Sequence, residues 1–357
     1  MKKTFYTLLL AGLSFVFLSG CMSTQNAIRL GGEWFLNNQD ENFLYYEYFP
    51  FEKEHSNSSH MLREMGAMWS IANLYHYLHD ERYLELAEKG FSYFERSFKR
   101  DTENDFIYVN ITPDKIKLGY NAFAILTLLE IDHPEKDYYL EQLAKGIMFQ
   151  QEESGELRTF FYSDRDTGVD YYPGEALLAM MSLYEETGKE EYLEATRKAL
   201  PFYREYFKGN PNTAVVSWQT QAYLKYWRAT GEEAARDYIF EMNDFMLESY
   251  GGGTSGFKVE SAGSVVAVHV EGVNKAYELA KELGDFERME KYANFIREGL
   301  EATMALQFTE KNNFGMVNFE EAAIGGFLGS IGSDSMRVDR NQHGVMALQA
   351  AHELRLI

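Results

Sequence analysis

The chain has 357 residues, with 55 acidic residues against 34 Lys and Arg, a formal charge of -21, and a large stock of rings (4 Trp, 25 Tyr, 26 Phe). Charged residues at 25% and hydrophobic ones at 45% belong to a folded globular protein, long enough for one large domain or two modest ones. The acid excess argues against nucleic acid, which needs clustered Lys and Arg, and against an electrostatic grip on anionic lipid. A single cysteine excludes an intramolecular disulfide and a Cys-based zinc site.

At the N-terminus, Met1-Lys2-Lys3 is a short basic start, and Thr4 to Leu18 is mostly apolar. That run is too short for a spanning helix and fits a secretory signal. It ends in Leu18-Ser19-Gly20-Cys21, which resembles the bacterial lipobox. The resemblance implies a signal peptide over 1–20 and a mature chain, 21–357, acylated on Cys21 and anchored in a lipid bilayer. Met22 follows, not the Asp associated with inner-membrane retention, so the expected location is the outer membrane facing the periplasm if the host is Gram-negative. The alternative is a plain signal peptide with an incidental cysteine.

Beyond the leader no Pro-rich or Gly/Ser-rich linker divides the chain, and 21–357 is expected to be one domain. A weak repeat runs through it. Asp80-Glu81-Arg82-Tyr83-Leu84-Glu85 recurs as Lys136-Asp137-Tyr138-Tyr139-Leu140-Glu141 and as Lys189-Glu190-Glu191-Tyr192-Leu193-Glu194. Looser copies begin near Arg236 and Phe286. The anchors Tyr83, Tyr139, Tyr192, Tyr238 and Met289 are 56, 53, 46 and 51 residues apart. Each copy opens a helix with an acidic first turn, as the helix dipole favours.

In chain order, the pattern predicts a helix near 25–38 and then six first helices near 61–78, 117–131, 173–187, 216–230, 264–283 and 338–354. Five partners follow near 81–98, 136–150, 189–207, 232–249 and 285–306. Gly188 and Gly231 read as C-caps inside hairpins. The sixth first helix has no C-terminal partner, and the helix near 25–38 fills that place, closing a ring. Long loops over 99–115, 151–171, 250–262 and 307–336 all fall at the N-terminal ends of the first helices. Loops this long in a compact domain are usually functional or disordered. Short strands are expected at Phe106–Val109 and Thr159–Tyr162.

Hairpin count, spacing and segments such as Tyr171-Tyr172-Pro173-Gly174-Glu175-Ala176-Leu177-Leu178-Ala179 resemble the six-hairpin glycosidase superfamily. The resemblance covers roughly 25–357. It implies an all-α (α/α)6 toroid, carbohydrate hydrolysis, lysis or epimerisation, and a site in the funnel at the N-terminal ends of the inner helices.

Several familiar signatures are missing. Gly251-Gly252-Gly253-Thr254-Ser255-Gly256 lacks the lysine of a phosphate loop, and no Gly-x-Ser-x-Gly or His-Glu-x-x-His occurs. His269-Val270-Glu271 has no Pro-Cys-x-x-Cys partner, which removes a zinc deaminase. No cofactor and no metal are expected. What remains is polarity confined to the heads of otherwise apolar helices, as a site at a barrel mouth requires.

Sugar chemistry needs carboxyl groups or a comparable acid and base. Glu175, Glu271, Asp339 and His343 are the candidate catalytic residues. Tyr172, Trp218, Arg337, Asn121, Gln219, His269 and Glu64 are candidates for binding substrate. Each has a plainer reading. Glu175 follows Pro173-Gly174 in a first turn, where a carboxylate satisfies the dipole. Glu271 lies in an apolar stretch and must be paired or functional. Asp339 is a possible N-cap or a partner of Arg337, His343 a core histidine four residues on, and Glu64 a partner of His60 or Arg63. Asn121 and Gln219 suit backbone bonding, and Tyr172 and Trp218 suit the core.

The expected protein is a lipid-anchored envelope enzyme acting on an oligo- or polysaccharide, first by hydrolysis with a carboxylate acid/base pair. The second enzymatic reading is uronide chemistry, a lyase or C5-epimerase, with Tyr172 or His343 as base and Arg337 and Asn121 holding the acid group. A lipoprotein that binds glycan or scaffolds the envelope without catalysis is the rival class.

Overall fold

The computed structural model describes residues 23–112, 114–251 and 263–357. Cys21, the leader and much of the 250–262 loop lie outside the described residues.

Chain order gives α1 (Thr24–Asn37), β1 (Glu47–Phe49), β2 (Glu54–His55), α2 (Met61–Leu78), α3 (Glu81–Glu95), β3 (Phe98–Asp101) and β4 (Phe106–Val109). Then come α4 (Leu118–Glu130), α5 (Lys136–Phe149), α6 (Tyr172–Thr187), α7 (Glu190–Gly209), α8 (Val216–Thr230) and α9 (Glu233–Ser249). After the undescribed stretch follow α10 (Val265–Leu283), α11 (Phe286–Ala305), β5 (Met336–Arg337) and α12 (Val338–Glu353).

The even-numbered helices form an inner ring in which each packs on the next, and α12 closes back onto α2. The odd-numbered helices back them from outside. α1 packs on α12, so the N-terminal helix supplies the outer partner that the C-terminus lacks. The architecture is an all-α (α/α)6 toroid.

Composition sorts the two rings. In α4 every residue from Leu118 to Leu128 is buried, as a helix enclosed on all sides must be. The outer helix α3 buries only one stripe, Tyr83, Leu86, Ala87, Gly90, Phe91 and Phe94, at helical spacing. Turns inside hairpins are tight because Gly188 (φ 67°) and Gly231 (φ 68°) take the left-handed conformation and donate their N–H groups to the Tyr184 and Trp227 carbonyls.

The inter-hairpin loops differ from expectation in three places. Helix α3 stops at Glu95, and residues 98–101 turn into a strand paired antiparallel with the expected strand at 106–109. Pairing tucks the Phe98 ring against Phe91 and Tyr139, 5.8 and 5.2 Å between centroids. At 159–162 there is no strand but a single bridge, Lys117 to Phe160, because the chain bends back after two backbone bonds to the head of α4. A three-stranded sheet, β2-β1-β5, was not foreseen. It sets Glu47 opposite Arg337, and the Val338 N–H donates to the Tyr46 carbonyl at 3.1 Å. That sheet fixes the head of α12, where much of the site lies. No helix among the described residues is long and apolar enough to cross a membrane.

Candidate active site

A cavity of about 440 Å³ opens where the inner helices begin. His60 and Arg63 reach it from α2, Glu175 and Tyr172 from α6, Trp218 from α8 and His269 from α10. Helix α12 and the strand before it add Arg337, Asp339, Arg340, Gln342 and His343. Phe123 and Trp218 meet edge to face at 5.6 Å, and His343 stands edge-on to Trp218 at 5.9 Å. These rings offer apolar faces with polar groups around them.

Glu175 sits in the first turn of α6, where Pro173 is pre-set for the helix. Its side chain is almost fully buried, and Oε2 has no hydrogen-bond partner. Burial pushes its pKa up to about 8, and the Lys117 ammonium opposes that only in part. Glu175 is therefore a neutral acid at pH 7, able to donate a proton. Gly119 makes room for it: a Cβ there would fall 2.2 Å from Oε2. Lys117 lies over the Tyr120 and Tyr172 rings, 5.7 and 5.8 Å from their centroids.

His343 takes a different partner. Its Nδ1 is 2.8 Å from Oε1 of Glu271, which is also almost fully buried. Burial alone would lower the imidazole pKa, but the Glu271 carboxylate outweighs it and holds His343 above the ordinary value. Glu271 is pushed up by the same burial, with His343 opposing. A carboxylate on Nδ1 fixes the ring and leaves Nε2 for proton transfer. Glu271 does not line the upper cavity. It lies beneath His343 and lines a second cavity of about 250 Å³ between the C-terminal halves of the inner helices, with Oε2 unpaired.

Asp339 lines the upper cavity but is occupied. Arg337 binds it through two bonds, Nε to Oδ1 at 3.0 Å and Nη2 to Oδ2 at 2.8 Å, and Arg63 Nε is 3.2 Å from Oδ2. Arg63 also donates to the Tyr46 hydroxyl.

The structure thus brings together Glu175, Asp339, His343, Tyr172, Trp218, Arg337 and His269, with Glu271 one layer below. His269 pairs through Nδ1 with the Tyr250 hydroxyl at 2.7 Å, and burial lowers its pKa to about 4. Three other residues lie elsewhere. Asn121 is wholly buried and binds the Val109 N–H and the Ile107 and Leu143 carbonyls, joining α4 to β4 and α5. Gln219 is buried and accepts from the Tyr238 hydroxyl at 2.7 Å. Glu64 accepts from the His60 N–H at 2.8 Å and the Ser59 hydroxyl at 3.0 Å, capping α2.

Arg340 and Lys117 escaped the sequence reading. Arg340 carries a signal after the fact, since it lies three residues before His343 and so on the same helix face. Lys117 opens the predicted helix at 117–131 but caps the observed one, and it resembles any helix-end lysine until the fold sets it near Glu175. Among the described residues no group of three or more His, Cys, Asp and Glu is placed to hold a metal ion.

Fold and cavity together define a six-hairpin toroid with a cavity lined by charged and aromatic side chains at the mouth of its inner ring. The solved structures it is similar to share this fold. The GH76A α-1,6-mannanase from Salegentibacter sp. HEL1_6 superposes with a TM-score of 0.69 at 14% identity, over 93% of this chain and 100% of that one. An unsaturated glucuronyl hydrolase specific for heparin gives 0.65 at 10%, over 94% and 98%. The cellobiose 2-epimerase from Bacillus thermoamylovorans B4167 gives 0.65 at 13%, over 92% and 98%. No family model and no curated protein matches the chain.

Proposed function

We propose that the protein is a carbohydrate-active enzyme that moves a proton to and from a sugar carbon. His343 is the general base, Glu271 orients it, and Glu175 is the general acid. The observation that carries this reading is the buried Glu271–His343 pair beneath a cavity whose only free carboxyl among the described residues, Glu175, is protonated at neutral pH. One acid and one base of different chemistry, with pKa values set by different surroundings, is what acid/base catalysis near neutrality requires. The fold is shared with enzymes whose names include hydrolases and epimerases, one of them a mannanase variant in complex with α-1,6-mannotetrose. Here the substrate is an oligo- or polysaccharide end seated on Trp218 and Phe123.

Hydrolysis by a carboxylate pair is the second reading, favoured by Asp339 lining the same cavity as Glu175. It asks Asp339 to act as base while both its oxygens are already taken up by Arg337 and Arg63.

Purified protein incubated with sugars in D2O tests the choice. Proton transfer predicts deuterium at carbon, or unsaturated uronide products absorbing in the ultraviolet. It also predicts a loss of about 10²-fold or more in His343→Gln and in Glu175→Gln. Release of reducing ends without exchange would favour hydrolysis. Full cellular function in both variants would favour a binding or scaffolding lipoprotein.

We also propose that Cys21 carries the lipid anchor and that the toroid faces the periplasm from the outer membrane in a Gram-negative host. The order Leu18-Ser19-Gly20-Cys21 after a basic and apolar leader supports this.

A further inference from the structure

The cavity is basic inside a strongly acidic protein. Among the described residues that line it are three guanidiniums, those of Arg63, Arg337 and Arg340, against two carboxyl groups, Asp339 and the neutral Glu175. Arg63 and Arg337 share the Asp339 carboxylate. Arg340 has none: among the described residues no acid lies within ion-pair distance of it. Its Nη1 donates instead to the Ser335 carbonyl at 2.6 Å and the Ser335 hydroxyl at 3.1 Å. One edge of the guanidinium is therefore braced against the wall, and its other nitrogens make no hydrogen bond among the described residues. Burial and the neighbouring Arg337 push its pKa down, and Asp339 and Glu47 at longer range only partly offset them. A half-buried cation with no ion-pair partner and nitrogens facing a cavity is suited to receive an anion there.

Arg340 also stands in register with the chemistry. It lies three residues before His343 on α12, about one helical turn, and both side chains line the cavity.

We infer that the substrate is a carboxylated sugar, a uronic acid residue whose carboxylate is held by Arg340 one turn of helix from the base His343. This rests on the proton-transfer reading above and names its substrate class. The proton beside a carboxylate is the one that such a pairing makes removable. His343 Nε2 takes the C5 proton, and the C–H electron pair moves into the C5–C6 bond, placing charge on the carboxylate oxygens that Arg340 faces. The pair then returns in one of two ways. It takes a proton back at C5, which gives the epimer when Glu175 supplies it from the other face. Otherwise it moves into C4–C5 and expels the C4 oxygen, which takes the Glu175 proton. No outside oxidant or co-reactant enters either course. Arg340, not Arg337 with Asn121, holds the acid group, because Arg337 is spent on Asp339 and Asn121 on backbone.

Calorimetric binding separates this inference from the reading beneath it. The probes are glucuronate and galacturonate, their neutral counterparts glucose and galactose, and glucose 6-sulfate as a second anion, all against the Glu175→Gln protein so that no turnover intervenes. At least one uronate is expected to bind about tenfold or more tighter than its neutral counterpart. Adding Arg340→Gln is expected to erase that difference, and Arg340→Lys to keep part of it. Unchanged thermal midpoints in the Arg340 variants exclude unfolding as the cause. Equal binding of uronate and neutral sugar, a preference for the sulfate over both uronates, or an unaltered preference in Arg340→Gln overturns the inference. Deuterium exchange in wild-type protein is read separately. Exchange on neutral sugars alone also sinks it while leaving proton transfer intact. Uronate binding without exchange or elimination sinks proton transfer and leaves the uronate site standing.

Discussion

Glu175 should make the protein lose stability as pH rises, and removing its charge should abolish that loss. In the folded chain its carboxyl has a pKa of about 8, against an ordinary value of 4.5. Below pH 4.5 both folded and unfolded chains carry the proton. Above it the unfolded chain ionises while the folded one does not, so the folded state binds more protons and stability falls until about pH 8. One unit of pKa difference is about 1.4 kcal/mol, so the loss is about 3 kcal/mol by pH 7 and levels off near 5 kcal/mol above pH 8. Glu175→Gln keeps the shape of the neutral acid and has no such slope. The assay is denaturant unfolding of both proteins at several pH values, in which every other titrating group cancels. The variant should gain about 3 kcal/mol on wild type between pH 5 and pH 8. A gap that stays constant over that range would mean that the carboxyl ionises normally in the fold, and the general-acid role of Glu175 would lose its basis.

Gly119→Ala puts a methyl where the Glu175 carboxyl lies, so turnover should fall about tenfold or more while the unfolding midpoint barely moves; full activity would show that the carboxyl has other room. Asn121→Ala leaves the Val109 N–H and two carbonyls without their buried partner. It should cost about 2–4 kcal/mol in urea unfolding with little effect on ligand affinity, and the reverse pattern would make Asn121 a binding residue. In the pH–rate profile, activity should fall above about pH 8 as Glu175 ionises and fall on the acid side as His343 gains its proton. Glu271→Gln removes the charge that raises His343, so the acid limb should move to lower pH; an unmoved limb would sever His343 from it. Cys21→Ser should shift the protein from the membrane fraction to the soluble one, and continued membrane association would point to another anchor.

The ring was legible because a toroid repeats one physical problem six times. Each inner helix must be apolar almost all round and each outer helix striped, and residues such as Gly188 and Gly231 mark the turns between them. Ring closure by α1 could be argued from the odd helix count alone. The sheet β2-β1-β5 could not. Its strands are two or three residues long, and the pairing of Glu47 with Arg337 spans almost the whole chain. Yet it decides how Arg337 and Asp339 stand. Among the candidate residues at helix heads, Tyr172, Glu175, Trp218, His269, Asp339 and His343 line the funnel, while Asn121, Gln219 and Glu64 turn away from it and Glu271 lies beneath. Asn121 fell outside it, since one residue along a helix turns a side chain by about 100°.

The three buried glutamates at the inner-ring heads show why roles resisted the sequence. Glu64, Glu175 and Glu271 each lie in the first two turns of an inner helix and are almost equally buried, at 5%, 4% and 4% exposure. Burial raises the pKa of each. What separates them is the donor that the fold supplies. Glu64 receives a backbone N–H and a hydroxyl from the residues just before its helix, so its charge is spent as a cap. Glu271 receives an imidazole from a residue 72 positions away, and its carboxylate raises the pKa of that histidine. Glu175 receives no donor on Oε2 and stays protonated. Only the first of these partners is local enough to be read from neighbouring residues. The proposed acid and base both depend on long-range placement: in one case a partner delivered, in the other none supplied. Chemistry in this fold is therefore set less by which acids are present than by which of them the ring leaves unanswered.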